Sequence, residues 1–504
     1  MTEPRHWPRS WLIALGALLV YALIHQTRFD KDSLVFLKWY RDGQLCYYHP
    51  LYLPLMTGVA RVLEALGVPW MEATRLYSCL CGAVAVLCVH RLVLRTGAGT
   101  GYADLAALLF LVSPTVVYFS TITELNMGGM ALLCGGLWAT DRMAATSDTS
   151  PRAVLRQALL PGMLLGLACA HHTANTLWWP GAVLLFFVRA GAGRLLRTAV
   201  FAAVSGALVA LLSRVIPVIV FAILHKVQES EFGVQLIVQI VRTARWSAVA
   251  AFTADQLVFF AAWILPLGLL GAALRTGWLR LPALLLTAAP AVVIFGAWDR
   301  ADTGAFHLPL YPFLLWYGAG VTVLSARWTP GLRRSLAVVL VLTQAALTTA
   351  FLLDHHRVDH EREWREGLLA ALADKGVAPR NAVVLLFGFQ RSLDLDLFAP
   401  DLPHHEMLFF KDREVLYHED VVQKYVAPAV NADLAAGHTL VLDAEAIQEE
   451  GRIRAPGLGW FAANTAPGDV LKGTRILAWL EQRFELVPVA RLGFKGFWLV
   501  PRPR

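Results

Sequence analysis

Residues 28–50 read RFDKDSLVFLKWYRDGQLCYYHP. The segment lies between one apolar stretch and a long series of others, and it carries Asp30, Asp32 and Asp42 ahead of the aromatic-rich end Tyr47-Tyr48-His49-Pro50. If the flanking stretches cross a membrane, this loop sets carboxylates at the mouth of a helical bundle, where they can activate a nucleophile or hold a cation. The rest of the chain is then read by asking which residues face those acids, and from which side.

The chain supports the membrane premise. Of its 504 residues 57% are hydrophobic and only 16% charged, against about a quarter charged in an ordinary soluble domain. Charge divides along the chain: residues 354–504 hold 22 of the 37 acids and 18 of the 44 bases, a net of −4, which leaves +11 for the first 353. That shift marks a membrane bundle over 1–353, with residues 25–72 as its first outer loop and interfacial helices, followed by a soluble domain over 354–504. The overall +7 comes from loop arginines of the bundle and carries no nucleic-acid implication. Six cysteines occur, none in the tail, and none with zinc-ligand spacing.

Upstream of the acidic loop, Trp11 to Ile24 is apolar behind Arg5 and Arg9 without a small-x-small cleavage site, so it reads as an uncleaved first helix with its N-terminus inside. Downstream, Leu51 to Leu66 is short and interrupted by Pro54, Arg61 and Glu64. About 20 apolar residues are needed to span a bilayer, so an amphipathic surface helix is expected there. Further helices are expected near 73–94, 102–119, 124–140, 157–171, 174–188, 198–223, 253–274, 281–298, 306–326 and 335–353, making about eleven spans. The turns this places inside carry Arg91, Arg95, Arg142, Arg152, Arg156, Arg189, Arg194, Arg197, Arg275, Arg280, Arg327, Arg333 and Arg334. The short outer turns near 120–123 and 172–173 carry none, the bias expected when basic loops stay inside. The larger outer loops do carry bases, among them Arg28, Lys31, Lys38, Arg41 and Arg300, which suit a local anionic ligand or snorkelling to lipid phosphates.

An odd number of spans puts the tail outside, on the same face as the acidic loop. The tail alternates strand-like Ala382–Phe387, helix-like Val421–Ala436, strand-like His438–Leu442, helix-like Thr474–Phe484 and closing strands near Leu486–Leu492 and Gly496–Val500, a small α/β domain.

Three further polar spots fall at the outer ends of helices. Glu124 follows Ser113-Pro114-Thr115 and Ser120-Thr121-Ile122-Thr123; an acid so near hydrocarbon is expensive unless paired or solvated and is read as functional, or as an interfacial acid favoured at a helix N-terminus. His171-His172-Thr173-Ala174-Asn175 sits at a tight hairpin. Two histidines can bind a metal or a phosphate, but neighbours on a helix point about 100° apart and seldom share one ion; simple wetting at the interface is the competing reading. Trp298-Asp299-Arg300-Ala301-Asp302 through His307 offers a forked cation suited to phosphate, or a local charge cluster with no ligand. Acids and histidines are almost absent at mid-depth and no two related halves stand out, which argues against an ion-coupled transporter.

Taken together, these motifs resemble the polytopic GT-C glycosyltransferases, most closely the bacterial DUF2723 and protein O-mannosyltransferase-like group. The resemblance covers the first 180 residues or so well and the rest in layout. It rests on Asp32-Ser33 soon after the first helix, His49-Pro50-Leu51-Tyr52-Leu53-Pro54-Leu55, Ser113-Pro114-Thr115 leading to Glu124, and Gly166-Leu167 followed by His172-Thr173-Ala174-Asn175. The family's second acid, three residues after the first, is Val35 here, and the glycine after its His-Pro-Pro is missing; both Asp30 and Asp32 stay candidates for the essential acid.

The resemblance implies an inverting transferase of the inner membrane that takes a sugar, a mannose-type hexose being one candidate, from a polyprenyl-phosphate carrier and hands it to a protein, lipid or glycan acceptor on the extracytoplasmic face. A carboxylate beside the acceptor hydroxyl can draw off its proton, while cationic donors stabilise the departing phosphate. On that reading Asp32 is the base with Asp30 as its alternative, and Glu124 positions the acceptor or serves as a second acid. His49, His172, Asn175, Arg300 and His307 line the donor phosphate. No cofactor is required, although a carboxylate pair can equally hold a divalent cation. Two other classes fit the same layout: a flippase for lipid-linked sugars, and a catalytically idle membrane scaffold.

Overall fold

The structure, a computed structural model, describes residues 7–26, 29, 31–46, 49–146, 150–191, 193–224, 246–274, 279–298, 304–356, 359–386, 389–407, 422–443 and 476–503. In chain order the first helices are α1 (Trp7–Leu23), α2 (Lys31–Arg41), α3 (Tyr52–Ala65), α4 (Trp70–Leu94), α5 (Thr100–Leu111), α6 (Pro114–Thr121), α7 (Asn126–Ala144), α8 (Pro151–His171), α9 (Trp179–Arg189), α10 (Arg194–Ala210) and α11 (Ile216–Ile223). They are followed by α12 (Trp246–Ala261), α13 (Ile264–Leu274), α14 (Arg280–Trp298), α15 (Tyr311–Gly318), α16 (Pro330–His356), α17 (His360–Asp374), α18 (Phe389–Phe398) and α19 (Ala427–Ala435). The chain divides into two compact units, one of Met1–Gln26 and Gly43–His355, the other of Thr27–Asp42 and His356–Arg504. Residues 27–42, read from the sequence as part of the bundle's first loop, therefore group with the tail; the reason is that α2 packs on α18.

In the first unit, among the described residues, five helical runs are long and apolar enough to cross a membrane, or six if the bent pair α5–α6 counts as one span. This is the make-up of an integral membrane protein, with five or six candidate spans among the described residues where the sequence suggests about eleven. The shortfall has local causes. The run near 174–188 opens as a 3-10 turn, Thr173–Trp178, before α9. The run 253–274 breaks between α12 and α13, where Ala262 adopts φ 43°. The first helix has 17 residues, and α3, at 14, is too short to span, in keeping with a surface helix.

Each break in a membrane helix frees backbone groups that lipid cannot satisfy. Between α5 and α6 the chain bends by 57° ahead of Pro114, which lacks an N–H and disfavours a helical residue before it. Gln344 on α16 donates to the Leu109 carbonyl at 2.6 Å and accepts from the Trp263 N–H at 3.2 Å, so one side chain serves two breaks. Thr348, one turn further on, donates to the Val112 carbonyl at 2.5 Å.

Close crossings use small residues. On α8, Gly162 and Gly166 stand one turn apart, and a Cβ on Gly166 would lie 2.8 Å from the Leu208 carbonyl of α10, so the two backbones meet in the small-xxx-small manner of membrane helices. The fully buried Arg75 of α4 donates to the carbonyls of Tyr21 (3.1 Å), Ala22 (3.0 Å) and Ile24 (2.6 Å), groups left over at the end of α1, and it pairs with Glu72. At the far end of the same helices the wholly buried Asp141 accepts from Arg95 at 3.0 Å and from the Trp316 indole at 3.1 Å, with Arg189 at 3.2 Å.

The second unit is built on a five-stranded sheet of order β2-β1-β3-β5-β4, with β1 Ala382–Leu386, β2 His404–Glu406, β3 Thr439–Asp443, β4 Phe484–Arg491 and β5 Phe494–Pro501. β1 runs parallel to β2 and β3, while β5 is antiparallel to β3 and β4. The unbroken apolar run of β1 follows from covering on both faces: Val383 and Leu385 enter one core with Val430 and Leu480, and Ala382, Val384 and Leu386 enter another with Trp364 and Leu368. Residues 476–483 are helical. The tail is thus an α/β domain, with β2 as an edge strand that the sequence pattern did not reveal.

Candidate active site

One end of the first unit, where α1 and α8 finish and α4 and α7 begin, gathers Glu124, His49, His171, His172 and Asn175 of the polar groups that the sequence singled out. Glu124 is 4% exposed in the link between α6 and α7. Its carbonyl accepts from Ser78 at 3.2 Å, and its carboxylate accepts from the N–H of Leu125. The neighbouring Thr123 is fixed by the Thr74 hydroxyl at 3.2 Å and through its N–H by the Gln26 side chain at 3.0 Å. Ser78 and Thr74 of α4 and Gln26 just beyond α1 therefore fix the link that holds Glu124 at a helix start, where the dipole favours its charge.

A cluster of histidine and tyrosine rings belongs to the same end. His171, wholly buried, meets the Tyr77 hydroxyl through Nε2 at 2.8 Å, with the Tyr52 ring 5.3 Å away edge-on. His49 stands edge-to-face with His172 at 5.1 Å. Gly128 and Gly129, near the start of α7, allow this packing: a Cβ on Gly128 would run into the His171 ring and the Tyr77 hydroxyl, and one on Gly129 would lie 2.6 Å from the Asn175 amide. The Nδ1 atoms of His49 and His171 are buried without a hydrogen-bond partner among the described residues.

The hairpin after α8 has internal duties. His172 Nδ1 accepts from the Ala174 N–H at 3.4 Å, and the Asn175 amide donates to the Ala168 carbonyl at 3.0 Å, closing the turn into Thr173–Trp178. His307, 2% exposed, leaves Nε2 unsatisfied, and the turn that follows it, Leu308–Leu310, packs on Thr173–Trp178 and on α7. Burial lowers the pKa of both His49 and His307 to about 4. His172 is pushed well below the ordinary range, first by burial and then by its histidine neighbours. At neutral pH these imidazoles are uncharged hydrogen-bonding groups, not cations.

Asp32 lies in the first turn of α2, half-buried, in the second unit. Asp30 and Arg300 lie outside the described residues. Among the described residues no three or more His, Cys, Asp or Glu side chains gather in a way that could hold a metal ion. The residues that sequence reasoning missed are Tyr77 and the Gly128-Gly129 pair; two adjacent glycines opening an apolar helix were the one available signal of close approach.

Several solved structures resemble the chain, among them the following. ArnT from Cupriavidus metallidurans, solved with undecaprenyl phosphate bound, superposes with a TM-score of 0.58 at 14% identity over 98% of both chains. The same protein in its apo state gives 0.53 at 16% identity over 99% of this chain and 98% of that one. The Archaeoglobus fulgidus oligosaccharyltransferase in complex with Zn and sulfate gives 0.51 at 12% identity over 97% of this chain and 72% of that one. No family model matches the chain, and no curated protein matches its sequence. A bundle of apolar, bent helices followed by an α/β domain, superposing along nearly its whole length on these proteins, shares the fold of these solved structures.

Proposed function

We propose that the protein is an inverting membrane glycosyltransferase of the DUF2723 and protein O-mannosyltransferase-like group. It moves a sugar, a mannose-type hexose being the first to try, from a polyprenyl-phosphate carrier to a protein, lipid or glycan acceptor. The observation that carries this reading is the superposition over 98% of both chains on a protein solved with undecaprenyl phosphate bound. The arginine-rich loops of the sequence support a reading with the N-terminus in the cytoplasm and the C-terminal domain outside an inner membrane.

In this reading Asp32 draws the proton from the acceptor hydroxyl as that oxygen attacks the anomeric carbon, and Asp30 is its alternative. Glu124, held rigidly by Ser78 and Leu125, orients the acceptor. The neutral His49 and His307 offer hydrogen bonds to the departing phosphate, and Arg300 supplies its countercharge. His172 and Asn175 keep the shape of the donor side by closing the hairpin. Whether a divalent cation takes part is decided by assay with and without a chelator.

Membranes containing the Asp32→Asn protein should bind the carrier-linked sugar and release no product, whereas full transfer by that variant rejects the assignment. Comparing glycans of a deletion strain and wild type by mass identifies sugar and acceptor together; an unchanged glycan profile would speak for the scaffold.

A further inference from the structure

The helix that carries Asp32 is anchored to the second unit at both ends. Before its first turn, the Phe29 carbonyl accepts from the Gln390 amide at 3.2 Å, and the Phe29 ring lies 5.6 Å from that of Phe398. In its last turn, Lys38 Nζ lies 3.0 Å from Asp396 Oδ2, and Arg41 Nη1 donates to the Asp396 carbonyl at 2.7 Å. Asp42 braces the same two cations, at 3.2 Å from Lys38 and 3.3 Å from Arg41.

Asp396 is the node of this contact. One carboxylate oxygen takes Lys38, the other lies 3.7 Å from His404 Nε2 on β2, and its carbonyl takes Arg41. It links α2, α18 and the sheet edge through three different groups of one residue. The helix that holds it is itself fixed, because Ser392 meets His404 Nε2 at 3.0 Å and Arg365 of α17 packs over the Phe398 ring at 4.6 Å. With Lys38 27% and Asp396 33% exposed, the ion pair adds little to global stability, since pairs in such settings contribute about 0–1 kcal/mol. Its effect is on where α2 sits.

We infer that Asp396 is a positioning residue for sugar transfer, and that the C-terminal domain serves to hold the helix bearing the presumed base. The inference rests on the reading of Asp32 as that base. A misplacement of about 1 Å from a change remote from the chemistry can cost on the order of a hundredfold in rate, so loosening one end of α2 should register in turnover before it registers in folding.

The test uses the full-length protein in membranes. Asp396→Ala should lower turnover at least about tenfold with the KM for the carrier-linked sugar little changed, and should raise hydrogen exchange over residues 31–41 without raising it in β1 or β3. Asp396→Glu should restore both readouts. Lys38→Ala loosens the same pair from the other side and covers the case in which the Asp396 variant fails to fold. Unchanged exchange over 31–41, or raised exchange with undiminished turnover, overturns the inference. Asp32→Asn assayed alongside separates the two ideas: full transfer by Asp32→Asn removes the base assignment and the positioning role with it. An inactive Asp32→Asn beside a fully active Asp396→Ala removes the positioning role alone.

Discussion

His307 is 2% exposed with an unsatisfied Nε2, and burial brings its pKa from the ordinary 6.5 to about 4. The folded protein thus binds this proton less well than the unfolded chain. Its contribution to stability is whole above pH 6.5, is lost as pH falls toward 4, and is flat below, amounting to roughly 3 kcal/mol. His307→Gln should lessen the pH dependence of thermal unfolding in that window, His49 and His172 keeping their own share; an unaltered slope would place the titration at other residues. The adjacent cluster yields a packing prediction. Gly128→Ala drives a methyl into the His171 ring and the Tyr77 hydroxyl, and overpacking of this kind costs about 1–3 kcal/mol, readable as a lower melting temperature in detergent. Residues of this sort were half legible in the sequence. His49, Glu124 and His172 stood out because polar groups are rare in apolar surroundings, but nothing local tells that His172 Nδ1 and the Asn175 amide nitrogen help to close their own turn.

Elements were more legible than their continuity. Apolar runs mark helices well, since lipid permits no other lone segment, and the described helices follow the expected runs closely. Where a run is broken, the compensation comes from a residue far away in sequence, which no window of hydropathy contains. Gln344 is the example: it repairs backbone groups at Leu109 and Trp263, 235 and 81 residues distant. Gln344→Leu preserves bulk and should leave the buried Leu109 carbonyl unpaired, at about 1–3 kcal/mol, and the part-buried Trp263 N–H without its acceptor. Gln344→Glu keeps the acceptor for Trp263 while losing the donor to Leu109. Thermal stability in detergent should therefore rank wild type first; a Leu variant as stable as wild type would mean that the two breaks find other partners. The tail's strands were legible from alternation and runs, apart from β2, whose three residues are half-buried and polar, His404-His405-Glu406.

At the scale of the molecule, the charge break near residue 354 separates bundle from tail along the chain, but chain order hides that residues 27–42 belong with residues 356–504. A discontinuous unit leaves no trace in composition, because the tie consists of a few side chains: Phe29 on Phe398, Lys38 and Arg41 on Asp396. The consequence can be measured on the second unit alone. Residues 356–504 produced by themselves lack α2, and the α18 face that α2 covers is then open to water. Joining residues 27–42 to their N-terminus through a flexible Gly/Ser linker should return that cover, and the linker must only span the gap with its ends free to fluctuate. If the contacts recovered are worth about 1 kcal/mol, a unit of this size gains roughly 2–4 °C in melting temperature. The gain should disappear when Asp396→Ala and Phe398→Ala are combined. Equal melting temperatures with and without residues 27–42 would show that α2 lies on α18 without stabilising it, and would leave the tail to fold as a domain independent of the acidic loop.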